Sequence, residues 1–196
     1  TVGHGLSSAP EMIIFKDRDT DVNWIVYHKD YASSQHIQKL NLTDAQQDAG
    51  GGYALTRGSS TLGILTGVAI NKLNSNHIAY CFHSVEGYSK TGSYVGNGSS
   101  SGPFVYTGFR PAWVMIKRFD AGTHHWRVFD AVRNTFNEVD EYLTPSSSNN
   151  EATGKDIDFL SNGFRIITTD TDTDTNNGTH LYLAFAEQPF KYANAR

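Results

Sequence analysis

Cysteine is almost missing from this sequence. Cys81 stands alone among 196 residues, which excludes an internal disulfide and leaves the redox compartment undecided. It sits in an apolar run, where a buried and inert thiol is the expectation. Charge is thin as well: 18% of residues are charged, the formal net charge is -4, and no block of one sign occurs. That distribution disfavours a nucleic-acid surface or a basic membrane patch, both of which need clustered Lys and Arg. No apolar run approaches the roughly 20 residues a helix needs to cross a bilayer, and no signal peptide is recognisable. Walker motifs, H-E-x-x-H and cysteine clusters are absent. The chain opens at Thr1, directly within a motif and without a Met, as a fragment of something longer would.

What remains is enough for a core. Hydrophobic residues make up 38% of the chain and aromatics 12%, carried by Phe and Tyr. With frequent β-branched residues, that mixture suits strands better than helices. The sequence also repeats itself. Pro10 falls on Pro111, Met12 on Trp113, Ile13 on Val114, Ile14 on Met115, Phe15 on Ile116 and Lys16 on Lys117. Trp24 then meets Trp126, Val26 meets Val128, Tyr27 meets Phe129 and Leu42 meets Leu143. Near the end of each unit, the run from His77 to Phe82 lies on the run from His180 to Phe185. The order of matches is the same in both halves, which points to a duplication.

Each unit reads as short strands. The runs Met12 to Phe15 and Ala112 to Ile116 are apolar at every position, as expected of strands buried on both faces. Polar turns (17–23 and 120–125) lead to returning strands at Trp24 to His28 and Trp126 to Asp130. Asn162-Gly163 lies between two apolar runs and predicts a tight hairpin, because both residues tolerate positive φ. The last strand of each unit alternates, with Ile78, Tyr80 and Phe82, or Leu181, Leu183 and Phe185, on one side. No segment shows a convincing helical period. The expected fold is therefore an all-β antiparallel β-sandwich of jelly-roll or lectin-like type, built from two tandem homologous repeats. Boundaries follow at 1–90 and 107–196, with 91–106 as a Gly/Ser-rich connection. Whether the repeats close separate cores or share one is left open by pattern.

Chemical motifs are sparse. Gly98 to Gly102 matches G-x-S-x-G, but Pro103 and a strand-like run follow where a nucleophile elbow needs a helix, so a linker is preferred. Asp170, Asp172 and Asp174 alternate with Thr and could offer hard oxygen ligands to a surface divalent cation such as calcium. Thr175 and Leu181 stand where a calcium-binding EF-hand loop needs Gly and Glu, so an extended, solvated connection is the preferred reading. His124 and His125 are adjacent and point to opposite faces of an extended segment, which disfavours joint ligation of a metal. Trp24 and Trp126 recur at equivalent places and read as sheet packing. Sequons at Asn41, Asn97 and Asn177 matter only in a glycosylating host.

Three stretches carry a resemblance to a known group: Gly108 to Arg118, Gly92 to Gly98 and Asp158 to Phe164, together with the ending Leu181 to Glu187 and Pro189 to Arg196. They resemble a domain of unknown function found in predicted tail-fibre or tail-appendage proteins of marine bacteriophages. The resemblance implies a virion surface protein, extracellular when it acts, in a fibre that is a homo-oligomer, most simply a trimer. It supplies no catalytic residues. Two functions of different class follow. One is a receptor- or glycan-binding module; the other is a structural module that docks other virion proteins. A polysaccharide depolymerase is a third, since paired carboxylates leave no local signature. Recognition is expected where the copies differ, which selects Asp120, His124 and His125 in a turn, Tyr53 beside the glycine stretch, and Tyr94 in the connection. No organic cofactor, nucleic-acid partner or membrane insertion is implied.

Overall fold

The computed structural model describes residues 1–50, 55–64 and 70–188. Among them there is no helix. The first half holds β1 (Val2–Gly3), β2 (Met12–Asp17), β3 (Ile25–His28), β4 (His36–Lys39), β5 (Gln47–Asp48), β6 (Leu55–Arg57), β7 (Thr61–Ile64) and β8 (His77–Phe82). The second holds β9 (Ser89–Val95), β10 (Phe104–Tyr106), β11 (Pro111–Arg118), β12 (Arg127–Asp130), β13 (Tyr142–Leu143), β14 (Ile157–Leu160), β15 (Gly163–Ile166) and β16 (Thr179–Ala186). Every pairing is antiparallel.

Each half makes one three-stranded and one five-stranded sheet. The small sheets run β1-β7-β6 and β10-β15-β14; the large ones run β5-β4-β3-β2-β8 and β13-β12-β11-β16-β9. The order β3-β2-β8 in one large sheet thus has a counterpart in β12-β11-β16 in the other. Register matches too: Lys16 pairs with Ile78, and Lys117 with Leu181.

The pleat explains why the strands β2 and β11 are apolar throughout. Ile13 and Phe15 face one way, into a core closed by Leu55 and Leu62 of the first small sheet. Val114 and Ile116 likewise face a core closed by Phe159, Phe164 and Ile166. Met12, Ile14 and Met115 point the other way, into a third cluster with Trp126, Leu181 and Leu183. The two large sheets therefore pack on each other, and each also packs on its own small sheet. Both alternatives left open by pattern hold: each half closes a core, and the halves share one. Trp126 is fully buried in that shared layer and Trp24 packs against it.

Two local expectations are corrected. Most of the 91–106 connection is strand: β9 forms the edge of the second large sheet, and β10 the edge of its small sheet. Its Ser, Thr and Gly content reads as flexible, yet β9 pairs with β16 from Ser89 to Val95. The 158–166 hairpin exists, but positive φ is not its device, since neither Asn162 nor Gly163 adopts it. Gly163 is already in register opposite Leu160, and it is needed for space. A Cβ there would lie 2.9 Å from the Phe104 ring.

Candidate functional site

The polar residues singled out by sequence gather at one end of the second half, where the 118–125 turn meets the 170–179 loop. Arg118 organises the turn. Its Nε donates to Asp120 at 2.6 Å, and its Nη1 donates to Nε2 of His124 at 2.9 Å and to the Thr175 hydroxyl at 3.1 Å. Asp120 also accepts the Thr179 amide at 2.9 Å. Burial works against the ionised Asp120, yet these hydrogen bonds hold its carboxyl below the ordinary carboxylate value. His124 sits 3.4 Å from Asp172. Burial, and then the Arg118 charge, lower its imidazole pKa. His125 donates its backbone N–H to Asp172 at 2.9 Å and exchanges a hydrogen bond with Ser146 at 2.9 Å. Lys117 is buried beneath, where its ammonium donates to the carbonyls of Thr43 and His124. Burial lowers its pKa to about 8.

The Asp-Thr run divides its carboxylates among separate tasks. Asp170 pairs with Lys155 and accepts the Asp172 amide. Asp172 pairs with the buried Arg127 guanidinium. Asp174 accepts the amides of Asn97 at 2.8 Å and Ser99 at 3.0 Å, which ties the 96–103 loop down. Among the described residues, no three His, Cys, Asp or Glu side chains gather where one metal ion could sit. Tyr94 is turned inward. Its hydroxyl donates to the Thr173 carbonyl at 2.6 Å, and its ring stacks on His180 at 5.1 Å. Burial raises its phenol pKa well above the ordinary value. Tyr53 lies outside the described residues. The structure thus brings five of these polar side chains together, as a network whose donors and acceptors largely satisfy one another.

Exposed aromatic surface lies elsewhere, on the outer face of the sheet β10-β15-β14. Val105 points into the core, so Phe104 and Tyr106 point out, 46% and 64% exposed. Cross-strand rows place Phe104 beside Arg165 and Asp158, and Tyr106 beside Gly163 and Leu160. Phe104 extends over Gly163, which leaves the row flat where a side chain would otherwise stand. Arg165 donates to the Ser101 hydroxyl at 2.8 Å, which steadies it at the rim. Tyr106 also lines a polar cleft of about 300 Å³ with Glu86, Ser89, Lys90, Thr107 and Gly108. On the far side of the same 84–90 turn lies an apolar groove of about 340 Å³ lined by Leu6, Phe82, His83, Val85, Tyr88 and Phe185. An aromatic platform running into a polar cleft suits a ligand with both apolar faces and hydroxyl groups.

The model of a family described as a domain of unknown function, DUF7483, matches residues 1–189. The chain belongs to that family. No curated protein and no solved structure matches it. For this DUF7483 domain, the site therefore rests on its own geometry. Sequence reasoning missed the platform because Phe104-Val105-Tyr106 follows Ser, Gly and Pro and reads as the end of a linker. The available signal was its alternation, with one buried Val between two aromatics.

Proposed function

We propose that this chain is a non-catalytic recognition module of a phage tail appendage, and that it binds a host-surface glycan on the outer face of its second half. The observation that carries this reading is the exposed Phe104–Tyr106 pair beside the cleft containing Glu86 and Lys90. Sugar rings present C–H faces to aromatics and hydroxyls to charged and amide groups, and both kinds of surface meet at Tyr106. The matching pairing order of the halves supports reading them as tandem copies. Only the second carries the aromatic pair, because Val2 and Gly3 occupy the corresponding edge strand β1.

The test is a screen of the intact chain against immobilised glycans and purified surface polysaccharides of marine bacterial hosts. Binding to a defined saccharide, lost on Tyr106→Ala with the melting temperature kept, is the expected result. Absence of binding to every host polysaccharide overturns the reading. A second reading, a structural module of the fibre, is favoured by the long open edge of β8. A trimer by native mass, with no glycan binding, would select it.

A further inference from the structure

The long edge strands of the two large sheets are treated differently. In the second sheet, the edge of β16 away from β11 is occupied by β9, which pairs with it from Thr179 opposite Val95 to Phe185 opposite Ser89. Residues 180–184 are buried as a result. In the first sheet, β8 pairs with β2 through six consecutive positions without a bulge. Among the described residues no strand pairs with its other edge, and Ala79 and Tyr80 are exposed. Open edges of soluble proteins are commonly blunted by Lys, Pro, a bulge or short length. The strand His77-Ile78-Ala79-Tyr80-Cys81-Phe82 has none of these.

A void accompanies the open edge. His77, Ala79 and Cys81, the alternate residues of β8 that face the first core, line a cavity of about 300 Å³ together with Val2, Phe15 and Ile64. At the matching place in the second half, two rings fill the space. Tyr94 of β9 lies opposite His180 and stacks on it, and Tyr182 occupies the position that Ala79 takes in β8. Gly92 stands opposite Tyr182 because a Cβ there would lie 3.0 to 3.2 Å from the Tyr182 ring and hydroxyl. The first half lacks both rings, and there the cavity remains.

We propose that the edge of β8 is an acceptor for an extended strand of a different polypeptide, which pairs antiparallel with it and lays an aromatic side chain opposite His77 and a large apolar one opposite Ala79. Strand addition of this kind takes its affinity from main-chain hydrogen bonds and its specificity from pockets for alternate side chains. A second copy of this chain pairing β8 to β8 does not meet the requirement. It would bring only His77, Ala79 and Cys81 to that side and leave the cavity unfilled. The inference is independent of glycan binding, which it places on another sheet.

The test uses the intact chain and two peptides. One copies residues 89–97; the other is the same peptide with leucine in place of the residue copied from Gly92. Titration calorimetry is expected to show the leucine peptide binding at least tenfold more tightly, because its side chain fills the space beside Ala79. Ala79→Tyr, which supplies the ring that Tyr182 supplies in the second half, is expected to reverse the order of the two peptides. Its melting temperature reports whether the fold is kept, and Ala79→Leu serves as a smaller filling variant. Lack of binding by either peptide, equal binding of both to Ala79→Tyr and to the unaltered chain, or a dimer in light scattering that Tyr80→Lys dissolves would each overturn the proposal.

Discussion

Trp126 donates its indole N–H to the carbonyl of Lys39 across the seam between the two halves, at 3.0 Å. The ring is fully buried among residues from both large sheets. Other bonds cross the same seam: Gln38 donates to the Arg118 carbonyl at 3.2 Å, and Gln46 donates its amide to the Phe119 carbonyl at 2.8 Å. The halves should therefore unfold together. Trp126→Ala is expected to cost about 3–5 kcal/mol. Trp126→Phe, which keeps most of the volume but strands the Lys39 carbonyl, should cost about 1–3 kcal/mol. Urea denaturation followed by circular dichroism should show one transition in each case, and two separate transitions would contradict a shared core.

Acid should weaken the fold through two buried histidines. His28 accepts the Asp30 amide at Nδ1, 3.2 Å away, so its Nε2–H donates to the Thr91 hydroxyl at 2.8 Å. Burial lowers its pKa from 6.5 to about 4, against the opposing pull of Asp30. His180 is lowered to about 4 by burial as well. In both, the folded value lies below the unfolded one, so the folded state binds fewer protons at intermediate pH. Their neutral forms are undisturbed above pH 6.5, and stability falls as pH drops from there toward about 4. The full shift corresponds to roughly 3 kcal/mol for each ring. Denaturation midpoints measured between about pH 7 and about pH 4.5 should decline, and His28→Gln should flatten part of the slope.

The Arg127–Asp172 pair holds the 170–179 loop to β12. Removing one member leaves a buried charge alone, so Asp172→Ala is expected to destabilise by about 3–5 kcal/mol in thermal or chemical denaturation. Calcium should not compensate, because Asp170, Asp172 and Asp174 are each committed to protein donors. Melting temperatures with millimolar calcium and with a chelator should agree. A clear rise with calcium would show that the run binds it.

Much of the fold was legible because strands buried on both faces leave an unbroken apolar run. Met12 to Phe15 shows this, with alternate residues facing the seam and the first core. The alternation of Leu181, Leu183 and Phe185 against Tyr182 and Ala184 was equally plain. The strand β9 was hidden because Lys90-Thr91-Gly92-Ser93 looks like linker. Its order comes from partners distant in sequence: β16 along its length, and His28 reaching Thr91. The candidate site was misplaced for a related reason. Asp120, His124 and Asp172 are polar loop residues, and nothing local distinguishes a carboxylate that binds a ligand from one that restrains its own loop. Tyr106 is exposed because of where β10 docks against β15, which no neighbour in sequence reports.

The central claim is that Phe104 and Tyr106 form the recognition surface. The direct measurement is adsorption of the intact chain to host cells or their purified polysaccharide, compared with the Phe104→Ala/Tyr106→Ala double variant. Because both side chains lie largely on the outside, the variant should fold with an unchanged melting temperature. The expected result is saturable binding by the unaltered chain, reduced at least tenfold in the variant. Equal binding by the two proteins would contradict the account.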